Sequence, residues 1–144
     1  MEKGKLYHGA VGVGKTTRMR AEYDALKGGA KGWLTASDLT QVALRDGLLK
    51  VMELARHHYT VVFIDDIGHE PLTVSHFGTI FSPMAEFIQA RYTQCQQEPM
   101  FSRQTHFTTN LTPDELRERY GDFIFDRLIE MCEWVHMEGQ SFRE

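Results

Sequence analysis

The chain has little cysteine, no long apolar run and no excess of positive charge, and each shortage removes a class of protein. Its two cysteines, Cys95 and Cys132, form no C-x-x-C pair and are too few for a disulfide framework, which points to a reducing compartment and a cytoplasmic location. No apolar stretch approaches the roughly 20 residues that cross a bilayer, so no membrane span is expected. The opening Met1-Glu2-Lys3-Gly4-Lys5 leads into a motif and not into an apolar run, so it does not read as a secretion signal. Lys and Arg number 16 against 20 Asp and Glu, for a formal net charge of −4. No global positive field would therefore draw the molecule onto DNA or an anionic membrane, although a local basic face is compatible with that balance. Repeats, low-complexity tracts and linkers are also missing. The 144 residues, 42% hydrophobic and 25% charged, read as one globular domain, 1–144, long enough to bury a real core.

What is present is an alternation of β-rich runs with segments of helical period, which implies an α/β domain around a parallel sheet. The strand candidates are 5–8, 32–36, 60–65, 104–109 and 134–137. Thr60-Val61-Val62-Phe63-Ile64 is apolar enough for a central strand covered on both faces. Helices are expected over 15–27, 38–57, 74–92, 113–120 and 123–131, with Ser37 capping the second. Thr112-Pro113-Asp114-Glu115 carries a strong start signal for the fourth: a capping Thr, Pro at the first helical position, and Glu three residues after the cap. Residues 66–74 and 93–103 read as loops.

The segment Gly9-Ala10-Val11-Gly12-Val13-Gly14-Lys15-Thr16 matches the full phosphate-binding loop G-x-x-x-x-G-K-[ST], with a strand before it and a helix after it. Glycines let the backbone wrap phosphate oxygens with successive N–H groups. The following helix adds its positive N-terminal dipole. Lys15 is placed to neutralise β/γ-phosphate charge and the Thr16 hydroxyl to ligate magnesium, with Thr17 completing the binding set. The expected ligand is ATP with Mg2+. A glycine-rich turn beside a chance lysine is the plain alternative, and the strand–loop–helix context disfavours it.

Asp65 and Asp66 follow the apolar strand at its C-terminal end, the edge where ligands sit in open α/β sheets. Asp65 is expected to hold magnesium and Asp66 to stand as the general base that polarises the attacking water. Many related ATPases carry Glu at the second position, and Asp66 is one methylene shorter.

Taken together, these residues resemble the AAA+ ATPase core of DnaC-type helicase loaders and IstB-type transposition ATPases. The resemblance runs from the phosphate loop through Ile64-Asp65-Asp66-Ile67-Gly68-His69-Glu70 and Ala90-Arg91-Tyr92. It continues through Thr108-Thr109-Asn110-Leu111, Glu115-Leu116, Arg119-Tyr120-Gly121, Phe125-Asp126-Arg127-Leu128 and Glu138-Gly139-Gln140-Ser141-Phe142-Arg143. It implies a three-layer P-loop NTPase sandwich with a five-stranded parallel sheet, order 5-1-4-3-2, and no separate lid domain. It implies that Asn110 is the sensor contacting the γ-phosphate or the attacking water, and that Arg127 is an arginine finger delivered to a neighbouring subunit's ATP. It also implies a homo-oligomer with a replicative helicase or a transposase as protein partner, and single-stranded DNA as a further one. Loaders of this type carry a separate N-terminal partner-binding domain, and a phosphate loop beginning at Gly9 is expected to leave no room for it.

Other features carry less. Arg91 reads as a subunit contact or a helix C-terminal charge, and Arg143 lies in the last four residues. The seven histidines show no zinc spacing and read as strand-end and surface residues. Met84, Phe87 and Ile88 read as core. Arg18, Arg20, Lys27 and Lys31 read as a solvated helix face or a DNA-facing strip. Alternatives to a partner-switching ATPase are a nucleotide-binding regulatory subunit with little turnover and a small-molecule kinase. The second would need an Arg-rich lid, yet 93–103 contains only Arg103.

Overall fold

Five strands pair in parallel to form the sheet that fixes the site, in a computed structural model describing residues 2–99 and 103–139. They are β1 (Gly4–His8), β2 (Lys31–Thr35), β3 (Val61–Ile67), β6 (Gln104–Thr109) and β7 (Cys132–His136). Their order is β2-β3-β6-β1-β7. Counting only these five in chain order, that is the expected 5-1-4-3-2. A separate antiparallel hairpin, β4 (Val74–His76) and β5 (Thr79–Phe81), lies between β3 and the next helix.

Helices cover both faces, because each strand alternates its side chains between two apolar layers. Tyr7 and Phe63 face one layer, where they pack with Met19 of helix α1 (Lys15–Ala25). Leu6, Val62 and Ile64 face the other, larger core. That core is closed by α2 (Ala36–Asp46), α3 (Leu48–Glu53), α4 (Pro83–Gln97) and α5 (Pro113–Met131). Met84, Phe87 and Ile88 on α4 are all core, as their spacing implies. No helix among the described residues is long and apolar enough to cross a membrane.

Several element boundaries differ from the sequence expectation, each for a local reason. The helix expected over 38–57 starts earlier, at Ala36. Thr35, not Ser37, caps it in a reciprocal box with Asp38. It then breaks at Gly47, whose φ of 85° no helix accommodates, and it ends in a π-helical turn, Leu54–His58. The helix expected over 74–92 is instead the hairpin followed by α4, with Ser82 as cap and Pro83 in the first turn. α4 runs on to Gln97, which takes over half of the expected 93–103 loop. The two C-terminal helices join across a kink at Gly121 (φ 87°), and the Thr112–Glu115 capping box forms as its sequence implies.

Arg91 is the largest correction. It is fully buried and touches no surface, so it is neither a subunit contact nor a solvated helix-end charge. Its guanidinium donates to the carbonyls of Ala55, Tyr59, Thr60 and Gln104 and to the Thr105 hydroxyl, at 2.6–3.1 Å. One side chain thus ties the π-helical turn to the entry ends of β3 and β6. Burial lowers its pKa to about 10, which still leaves it charged at neutral pH.

Candidate functional site

The phosphate loop leaves β1 and enters α1 in an unusual backbone. Gly9 takes φ 155°, and a Cβ there would sit 2.3 Å from the Met137 carbonyl oxygen, so only glycine fits. Gly14, at φ 89°, is the residue before α1, and no side chain caps that helix. Its first-turn N–H groups are therefore available to an anion. Lys15 is nearly buried, and its Nζ donates to the Gly9 and Ala10 carbonyls, both at 2.8 Å. Burial lowers its pKa, while Asp66 and Asp65 pull it back up.

These residues meet the acidic strand end in one open cavity of about 350 Å3, lined by Val11, Gly12, Gly14 and Lys15, by Thr16 and Thr17, and by Asp65, Asp66, Thr108 and Asn110. The Thr16 hydroxyl donates to Asp65 Oδ1 at 2.9 Å. That pair offers two hard oxygens at one point, which fits Mg2+. Magnesium typically takes one or two protein oxygens and fills its octahedron with water and phosphate oxygens. No cluster of three or more His, Cys, Asp or Glu suited to a metal occurs among the described residues.

Asp66 is one of two non-glycine residues with positive φ among those described, at 62°. Such backbone costs roughly 1–3 kcal/mol and persists where surrounding structure holds it. What holds it was not visible in the sequence. β3 and β6 pair in register at Ile64↔Phe107 and again at Ile67↔Thr109, so two residues of β3 face one of β6 between them. That one residue is Thr108. The signal was present in the Thr-Thr-Asn run, but nothing local ties its first residue to the carboxylates.

Asn110 immediately follows β6 and lines the same cavity. Arg127 does not line it. It packs against the rings of Tyr92 and Phe123, with Cζ 4.2 and 4.4 Å from their centroids, and lies 3.8 Å from Glu130. Three of the four basic residues considered as a DNA-facing strip are engaged within the chain. Arg18 lies over Tyr7, Arg20 over Tyr23 and Trp33, and Lys31 donates to the carbonyls of Tyr23 and of Leu26, the residue that follows α1. Arg143 lies outside the described residues.

One histidine, His106, departs from the strand-end and surface reading, while His8 ends β1 as that reading implies. His106 is buried and stacks on Phe63 at 4.4 Å. Its Nδ1 accepts the Lys5 N–H, and burial, then Lys5 and Arg91, lower its pKa to about 4. His8 stacks on His136 at 4.9 Å beside the phosphate loop. Burial, then His136 and Lys15, lower its pKa. Glu70, absent from the expected site, is also buried. It accepts the Gly68 N–H and the Tyr120 hydroxyl, which ties the loop after β3 to α5.

A glycine-rich loop between β1 and α1, acids at the end of β3 and a 5-1-4-3-2 parallel sheet define a P-loop NTPase fold. Within that class, solved structures of replication proteins share the fold. The DnaC helicase loader superposes with a TM-score of 0.67 at 22% identity, over 94% of this chain and 78% of that one. DnaI superposes at 0.59 and 17%, over 98% and 73%. AMPPCP-bound DnaA from Aquifex aeolicus does so at 0.67 and 17%, over 96% of this chain but only 41% of that one. This chain therefore has the fold of a DnaC-type AAA+ core. At such identities the likeness is one of fold. No family model and no curated protein matches the sequence.

Proposed function

We propose that this chain binds ATP with Mg2+ and hydrolyses it, as the AAA+ core of a replication-type switch that assembles with copies of itself and acts on a protein or single-stranded DNA partner. The observation carrying this is the single cavity that gathers Lys15, Thr16, Asp65, Asp66 and Asn110. Support for the ligand and partner classes comes from neighbours of the same fold. One is a DnaA bound to AMPPCP and single-stranded DNA, and another is a helicase loader.

In this reading the N–H groups of 9–16 cradle the phosphates, and Lys15 turns its ammonium from the Gly9 and Ala10 carbonyls onto them. Thr16 and Asp65 would hold the magnesium ion, which supplies charge neutralisation at the phosphates. Asp66 takes the proton of the attacking water, and the Asn110 amide orients that water without adding charge beside two carboxylates. Arg127, which lies off the chain's own cavity, acts on a neighbouring subunit's nucleotide. An apolar recess beside the loop, lined by Val13, Thr17, Arg18, Ala21 and Met137, suits the base. The partner is a replicative helicase in this reading. A transposase is the alternative, and the two share the ATP switch.

Lys15→Ala tests the central claim, read by titration with a fluorescent ATP analogue. Loss of one phosphate-binding cation is expected to weaken binding at least about a hundredfold, as for a buried charge-assisted contact. Unchanged affinity would remove the proposal. The short Asp66 side chain favours a second reading, a nucleotide-binding regulatory subunit. Tight ATP binding with no phosphate release at any protein concentration, alone or with single-stranded DNA, would establish it.

A further inference from the structure

Between Ile64 and Ile67 the β3–β6 ladder loses its register, and Thr108 is the β6 residue left opposite both acids. Its hydroxyl makes two bonds there. It lies 2.6 Å from Asp65 Oδ1 and 2.8 Å from the backbone nitrogen of Asp66. Donor accounting fixes both directions. An ionised carboxylate only accepts and a backbone N–H only donates, so the hydroxyl gives its one proton to Asp65 and accepts from Asp66. Thr108 is almost completely buried at the floor of the cavity that Asp65 and Asp66 also line.

The consequence for the carboxylate is specific. Thr16 and Thr108 both donate to Oδ1 of Asp65, so Oδ2 carries neither hydroxyl. Two hydroxyls on one oxygen fix the plane of the carboxylate. The bond to Asp66 N holds the left-handed backbone from which the next carboxylate projects. A β-bulge re-aims side chains at the cost of ladder bonds, and here one hydroxyl serves in their place.

We propose that Thr108 is the positioning residue of the site, setting the Asp65 carboxylate for magnesium and the Asp66 backbone for the attacking water, a role that rests on the functional reading above. Thr108 lines the same cavity, and in this role it acts through the two acids.

The test uses the full chain with Thr108→Val, which keeps shape and removes the hydroxyl, and Thr108→Ser, which restores it. Binding of a fluorescent ATP analogue is measured in EDTA and across a Mg2+ titration, and turnover is measured over the same Mg2+ range. Thr108→Val is expected to bind within about twofold of wild type in EDTA. Its half-saturating Mg2+ should rise about tenfold or more and its kcat should fall, with KM at saturating Mg2+ little changed. Thr108→Ser should stay within about threefold of wild type in every measure. A Thr108→Val chain that answers Mg2+ as wild type does would overturn the assignment alone. So would a Thr108→Ser chain as impaired as Thr108→Val, because the hydroxyl would then not be what matters. A wild-type chain that binds no nucleotide would overturn the functional reading and this assignment with it.

Discussion

Replacing Arg91 by methionine would keep most of the stem volume and remove every donor of the guanidinium. Five acceptors lose a partner: the carbonyls of Ala55, Tyr59, Thr60 and Gln104 and the Thr105 hydroxyl. Thr60 O also receives the Gln104 N–H at 3.1 Å, so its loss is the mildest. A buried acceptor left unsatisfied costs about 1–3 kcal/mol. Two or three such acceptors amount to about 2–9 kcal/mol, with the apolar replacement recovering part by sparing the desolvation of a charge. Against a typical total of about 5–15 kcal/mol, Arg91→Met should be severely destabilised or unfolded at 37 °C. Arg91→Lys should fall between, since the three donors of one ammonium cannot serve five acceptors. Urea denaturation followed by circular dichroism measures both. A wild-type-like midpoint for Arg91→Met, within about 1 kcal/mol, would refute the view that this side chain staples the π-helical turn to β3 and β6.

Acid should weaken the fold through His106. Its pKa drops from the ordinary 6.5 to about 4 in the folded chain, so between those values the unfolded chain binds a proton that the folded one does not. Stability is thus full above about pH 6.5 and is lost as pH falls towards 4, by about 3 kcal/mol for this group. His106→Gln should flatten that part of the stability profile, and an unchanged slope would mean the loss comes from elsewhere. Arg127→Ala should leave nucleotide affinity intact and lower turnover at least about tenfold, while wild-type specific activity climbs with protein concentration. Specific activity flat with concentration, alongside normal turnover in Arg127→Ala, would confine Arg127 to its stacking between Tyr92 and Phe123.

The nucleotide end of the fold was legible because its signals are local. A phosphate loop needs its glycines and lysine at fixed spacing, and β3 announces itself as an apolar run ending in acids. The hairpin was not legible in the same way. Val74, Phe81, Met84, Phe87 and Ile88 are all buried and suit one continuous helix as well as a strand pair followed by a helix. Gly78 and the Ser82-Pro83 start signal were the punctuation that mattered. Gly47 broke the long second helix because its φ of 85° lies outside helical space. Arg91 and Thr108 were opaque for a different reason. The partners of Arg91 come from two distant stretches of chain, 55–60 and 104–105, and those of Thr108 sit across a ladder irregularity. No local periodicity encodes either.

The seating of β1 also orders events during synthesis. Its neighbours on both sides are late strands, with Leu6 opposite Phe107 of β6 and Trp134 of β7. The loop that follows β1 therefore cannot take its final shape while the ribosome is still making the middle of the protein. Closing contacts over such separations is slow, and the half built around β2 and β3 must wait with β1 unpaired. That loop thus belongs to the finished fold and not to its intermediates, since it is seated only once β6 and β7 are both there to flank β1.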